Sequence, residues 1–234
     1  TDGSISSTVS ANTTSGFSVS TWNEISSSSA QTIGHGLGVA PDMMIMKRRN
    51  EGGSGWLVYH KSIGNTGAIF LEGNYSTSTS SSYWNNTSPT SSVFTLGAGW
   101  NASASYNWVS YNFAEKQGYS KFGSYTGNGS LDGTFIYTGF KPAWAMFKKT
   151  SAGADWFIMD NKRDPHNEMI RDLRPSRSDA ENANTTYNDC DFISNGIKIR
   201  EDNGDFNESG GSYIFMAFAE APLVGTNNVP CTAR

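Results

Sequence analysis

The stretch from Trp108 to Glu115 (Trp-Val-Ser-Tyr-Asn-Phe-Ala-Glu) returns 105 positions later as Tyr213 to Glu220 (Tyr-Ile-Phe-Met-Ala-Phe-Ala-Glu). Three further landmarks return in the same order. Pro41 to Arg48 matches Pro142 to Lys149 at 101 positions, Trp56-Leu-Val-Tyr59 matches Trp156-Phe-Ile-Met159, and Phe17 matches Phe122 at 105. Ordered landmarks at nearly constant spacing imply two tandem homologous units of about 105 residues. The period is too long for a solenoid or propeller blade, whose units run about 20–50 residues. Each unit has instead the size of one sheet layer, and two such layers are expected to bury their apolar faces against each other.

Within each unit the pattern is that of strands. Met43–Met46 and Ala143–Phe147 are short apolar runs closed by basic residues, each entered by a proline where a missing N–H does no harm. The glycine-containing turns at 51–55 and 151–155 then lead into tryptophan-headed strands, so each unit is expected to hold one such hairpin. The closing strands 106–115 and 212–220 are the most apolar and are expected to lie centrally. Helix signals are confined to Asp164–Leu173, with a capping Asp and Pro165 in the first turn. The predicted class is therefore all-β with few short helical turns. The predicted divisions are a leader or linker over 1–16, a first unit over 17–119 and a second over 120–234. The chain lacks an initiating Met and a signal peptide, so a processed chain or a fragment is expected.

Aromatics make up 13% and charged residues 16%, the reverse of a disordered chain. Net charge is −4 and the one tight basic cluster is Lys47-Arg48-Arg49, too small to track phosphates, so no nucleic-acid partner is expected. No apolar run approaches the roughly 20 residues needed to span a bilayer, and no membrane insertion is expected. Cys190 and Cys231 sit in no CxxC pair, and free thiols are favoured over one disulfide.

Catalysis needs a nucleophile with its base, paired carboxylates or a metal cluster. His35, His60 and His166 lie in no ligand spacing, and His35 between two glycines reads as a turn residue. Glu115 and Glu220 match across the repeat. They offer either a glycosidase-like acid pair or two sheet-end residues that pair with lysines, and the second reading is preferred because duplication alone explains the match. Asp202–Glu208 is dense in oxygen ligands for calcium but fails the EF-hand pattern and reads as a turn. No catalytic residue, metal or cofactor is expected.

Trp56, Trp144 and Trp156 lie in predicted strands and read as core. Trp84 differs, because Tyr83-Trp84-Asn85-Asn86 sits in a long polar stretch, and Trp100-Asn101 is similar. Sugar rings stack on exposed aromatics beside amides, so Tyr83, Trp84, Asn85, Asn86, Trp100 and Asn101 are the candidate ligand-binding residues. The competing reading folds these aromatics back onto the sandwich.

Several stretches taken together carry a resemblance: residues 33–42 (Ile-Gly-His-Gly-Leu-Gly-Val-Ala-Pro-Asp), Trp84-Asn-Asn-Thr87, Val93–Gly97, 113–129, and the ending Val229–Arg234. They are similar to a domain of unknown function that recurs at the C-termini of tail, fibre and other virion-associated proteins of marine and environmental phages. The resemblance implies a lectin-like or jelly-roll β-sandwich on a virion surface. The function expected is host attachment from a tail fibre, spike or capsid fibre by binding a bacterial surface glycan or receptor. Other virion proteins are expected partners, and the expected assembly is a homo-oligomer, a trimer above others. The alternatives are a decoration or assembly domain without a ligand and, third, a polysaccharide depolymerase.

Overall fold

The computed structural model describes residues 2–25, 29–100, 106–183 and 189–221, the side chains of 182 and 183 excepted. The protein is nearly all β, 44% strand and 3% helix, with antiparallel sheets. It divides into two compact units, one of residues 1–71 and 77–115, the other of 72–76 and 116–234.

In the first unit the strands are β1 (Ser7–Asn12), β2 (Phe17–Asn23), β3 (Gln31–Gly34), β4 (Met43–Arg48) and β5 (Leu57–His60). They are followed by β6 (Gly67–Phe70), β7 (Ser78–Thr79), β8 (Val93–Leu96) and β9 (Asn107–Phe113). A helical turn α1 (Ser81–Trp84) and a 3₁₀ turn (Ala98–Trp100) flank β8. One sheet has the order β1-β2-β9-β4-β5-β6-β7, and the ladder β3-β8 forms a second layer. Ile33, Phe94 and Leu96 of that ladder share one core with Trp22, Met44, Met46, Leu57, Tyr59 and Trp108 of the large sheet.

In the second unit the strands are β10 (Ser120–Thr126), β11 (Phe135–Tyr137), β12 (Pro142–Lys149), β13 (Trp156–Asp160) and β14 (Arg171–Asp172). Then come β15 (Asn182–Ala183), β16 (Cys190–Ile193), β17 (Gly196–Ile199) and β18 (Ser212–Ala219). The sheet β10-β18-β12-β13 and the sheet β11-β17-β16 enclose a core of their own, with Phe147, Phe157, Tyr213 and Phe215 from the first and Ile136, Ile197, Ile199 and Phe192 from the second. A two-stranded ladder, β14-β15, lies beside them in sequence.

Each unit therefore holds two layers and its own core, which corrects the expectation of one layer per unit. The predicted hairpins are β4-β5 and β12-β13, and the closing strands β9 and β18 each have a neighbour on both sides. Apolar residues on both faces suit a central position, since such a strand is covered above and below.

The register of the two sheets corrects one landmark. Phe113 pairs with Phe17 in the first unit, whereas Phe218 pairs with Ser120 in the second. Ser120 thus holds the place of Phe17, and Phe122 that of Val19. By the same count Trp22, paired with Trp108, corresponds to Tyr125, paired with Tyr213.

Residues 2–12 are not a linker. Ile5 is buried, its N–H donates to the Thr32 carbonyl, and β1 pairs with β2 over all six residues. Sequence patterning misses this strand because it is an exposed edge with no apolar face. The expected helix at Asp164–Leu173 is also absent. The Asp164 carboxylate accepts the N–H groups of Ile170 and Arg171, six and seven residues on, and so ties a loop instead of capping a helix.

Candidate functional site

The Trp84 stretch is core. Ser80 caps α1, its hydroxyl accepting the Ser82 N–H, and Asn85 ends it in the left-handed conformation. That turn drives Trp84 inward until 1% of it is exposed; its Nε1–H donates to the Gly67 carbonyl (2.8 Å) and its ring meets Tyr59 edge-on. Gly97 permits the turn to pack: its N–H donates to the Tyr83 carbonyl, and a Cβ there would lie 2.3 Å from the Ser82 oxygen. Tyr83 is buried with its hydroxyl on Ser78. Burying an indole of 150–250 Å² contributes about 4–6 kcal/mol, which outweighs leaving it as a sugar platform.

Of the other predicted residues, Asn85 and Asn86 are exposed at the turn, and the Asn86 carbonyl accepts from Asn65. Trp100 is half-buried against Phe70, Tyr83 and Trp108. Asn101 lies outside the described residues, as does Cys231. The structure thus brings Tyr83 and Trp100 together, but as packing and not as a binding face.

Trp100 belongs to a second cluster. The Arg48 guanidinium lies over Trp100, Tyr106 and Trp108, at 5.5, 4.3 and 5.1 Å from the ring centroids. It donates to Glu51 (2.8 Å) and stands 3.6 Å from Glu24, a buried carboxylate that also accepts the Trp108 indole N–H. The hydrogen bond from Arg48 holds the Glu51 carboxyl below its usual range. With its charge matched and its faces covered by rings, Arg48 pins the end of the sandwich.

Beside this cluster lies an open groove of about 380 Å³ in the first unit, formed by Ile5, Ser6 and Thr8, by Thr21, Trp22, Asn23 and Ile25, and by Arg49. Its size is that of a small-molecule site, and its polar groups other than Arg49 are uncharged. Trp22 is 3% exposed, stacked on Trp108 (5.7 Å, 2° between planes) and edge-on to Phe94. Its Nε1–H is buried and has no hydrogen-bond partner among the described residues. A buried donor left unpaired costs about 1–3 kcal/mol. Sequence reasoning missed the groove because three of its eight lining residues, Ile5, Ser6 and Thr8, come from the segment read as a leader.

Elsewhere the polar residues singled out in the sequence are engaged within the protein. Glu115 and Asp42 both pair with Lys61 (3.0 Å each), and Glu220 pairs with Lys141 (2.8 Å). His35 is buried; its Nδ1 accepts the Leu37 N–H and its Nε2 lies 3.1 Å from the Thr90 carbonyl, so the ring is a neutral turn residue with Nε2 as donor. Burial lowers its pKa against the pull of Thr90. In the 202–208 turn, Asn203 Oδ1 accepts the Asp205 N–H and Glu208 pairs with Lys149. Cys190 is buried with its Sγ 3.3 Å from the Met159 sulfur, and burial pushes its thiol well up.

Two antiparallel layers over a closed core in each unit define an all-β sandwich protein. The chain matches the model of a domain of unknown function, DUF7483, over residues 1–222, and it belongs to that family. No curated protein and no solved structure matches it.

Proposed function

We propose that this chain is a non-catalytic virion surface module of a phage tail fibre, spike or capsid fibre, and that it attaches to the host by binding surface glycan in the first-unit groove. The observation that carries the reading is an open groove of about 380 Å³ lined by the hydroxyls of Ser6, Thr8 and Thr21, the Asn23 amide and the apolar Ile5, Trp22 and Ile25. Saccharides are recognised by such convergent polar groups beside apolar surface. The ion pairs of Glu115 and Glu220 with lysines favour binding over depolymerisation.

The finer architecture proposed is a lectin-like jelly roll made of two homologous units. Its support is the shared order, β2-β9-β4-β5 in one unit and β10-β18-β12-β13 in the other, with Ile33 opposite Phe94 in β3-β8 and Ile136 opposite Ile197 in β11-β17. A homotrimer is the assembly proposed, as it would cover edge strands such as β1. The second reading, a decoration or assembly domain without ligand, is favoured by the burial of Trp84 and Tyr83.

Labelled protein is to be tested on a panel of bacterial cells and their extracted polysaccharides. Saturable binding to a few, competed by free glycan and weakened by Trp22→Phe, is expected. Absence of binding at micromolar concentration overturns attachment in favour of the structural role.

A further inference from the structure

Lys47, Arg48 and Arg49 stand side by side at the end of β4, yet their charges are disposed differently. Lys47 Nζ donates to the Ser54 carbonyl and lies over the Trp56 ring. Arg48 is matched by Glu24 and Glu51 and enclosed by rings. Arg49 is exposed, lines the groove, and has no ion pair or side-chain hydrogen bond among the described residues. The other groove-lining residues are uncharged, so Arg49 supplies the groove's one formal charge.

We infer that the groove takes a saccharide bearing a carboxylate, a uronate-type sugar, with the Arg49 guanidinium on the carboxylate and the hydroxyls of Ser6, Thr8 and Thr21 and the Asn23 amide on the sugar's hydroxyls. The inference rests on the groove being the glycan site. One uncommitted cation matches one negative charge, whereas a phosphate ester brings close to two. The planar guanidinium fork takes the two oxygens of a carboxylate in parallel, and a carboxylate, being the more basic anion, accepts those hydrogen bonds more strongly than a sulfate ester does. Because Arg49 is exposed, the pair is screened by solvent and salt. Arg49 is therefore a specificity residue: it selects among sugars, while the polar groove and Trp22 hold them all.

The test is calorimetric titration of the whole chain with three oligosaccharides of equal length: an oligouronate, a sulfated one and a neutral one. The oligouronate is expected to bind about fivefold more tightly than the other two, the factor an exposed ion pair supplies. That preference is expected to vanish in Arg49→Gln, to return in part in Arg49→Lys, and to shrink between about 50 and 500 mM salt. The neutral sugar's Kd is expected to move less in Arg49→Gln than the oligouronate's. Equal binding of uronate and neutral sugars, both weakened by Trp22→Phe, overturns the charge assignment while the groove reading stands. Equal binding of the sulfated sugar overturns the choice of carboxylate. Uronate binding that neither Arg49→Gln nor Trp22→Phe alters, or no binding by any of the three, overturns the groove reading together with this inference.

Discussion

The Trp22 and Trp108 rings lie parallel, 5.7 Å apart between centroids and 2° apart in plane, but their two indole N–H groups have opposite fates. That of Trp108 is held by the Glu24 carboxylate at 2.9 Å, and that of Trp22 is buried with no partner among the described residues. In the second unit the corresponding registers carry Tyr125 and Tyr213, stacked at 4.8 Å, and both hydroxyls donate to backbone carbonyls, Phe206 and Gly204. Both units thus stack a ring pair at that register, and of these four ring N–H and O–H groups only that of Trp22 has no partner among the described residues.

Trp22→Phe separates the two roles. A phenyl ring keeps the stack on Trp108, removes a donor that has no partner among the described residues and trims the ring that walls the groove. Stability is expected to change by less than about 1 kcal/mol in chemical denaturation, while glycan affinity falls about five- to tenfold in titration.

Trp84→Ala is expected to do the reverse. The residue is closed in the core with its N–H on Gly67, so its loss is expected to cost about 3–5 kcal/mol of unfolding free energy. Affinity per folded molecule is expected to stay at the wild-type value.

The interior face of β2 and β9 in the first unit carries a polar cluster. Asn112 Nδ2 donates to Ser18 and Ser20 (3.2 and 3.3 Å), whereas Ser110 Oγ is buried with no partner among the described residues. In denaturant titrations Ser110→Ala is expected to be neutral or stabilising, because it removes an unpaired group. Asn112→Ala is expected to cost about 2–3 kcal/mol, since it leaves two hydroxyls without their donor and opens a cavity.

Lys148 gives the fold a pH dependence. Its ammonium is buried, donating to the carbonyls of Lys149 and Ala154. Burial, the largest influence, brings its pKa down to about 8 against the attraction of Asp155 and Asp205, with Lys149 adding to the lowering. Below that value both folded and unfolded chains carry the charge and the whole penalty is present. As pH rises from about 8 towards the unfolded value near 10.4, the folded chain binds fewer protons than the unfolded one, and the penalty is lost. The stability of wild type relative to Lys148→Met is therefore expected to rise over that window, measured as the difference between two denaturation series. A flat difference would show that the amine titrates at its unfolded value.

The parts of the fold that were legible are those whose signal is local. Met43–Met46 and Ala143–Phe147 are unbroken apolar runs with a proline before and a glycine turn after, and both hairpins follow from that pattern. Trp84 was illegible because its neighbours in sequence are polar, while the groups that bury it, Gly67 and Tyr59, are 17 and 25 positions away. β1 was illegible because an edge strand needs no apolar face, only a partner. The equivalence of Phe17 with Phe122 missed by two positions because aromatic identity suggested one alignment and the ladder register sets another. The groove combines both difficulties: it joins an edge strand to Trp22 and to Arg49, which lies far from it in sequence.

The most direct test of that groove is the indole N–H region of a ¹⁵N-correlated NMR spectrum, with the tryptophan signals assigned by Trp→Phe variants, during titration with fragments of a polysaccharide that the protein binds. The Trp22 Nε1–H signal is expected to shift saturably, while that of Trp84, held by Gly67, stays in place. A Trp22 signal that remains still under saturating glycan, with or without movement at Trp100, would contradict the groove as the binding site.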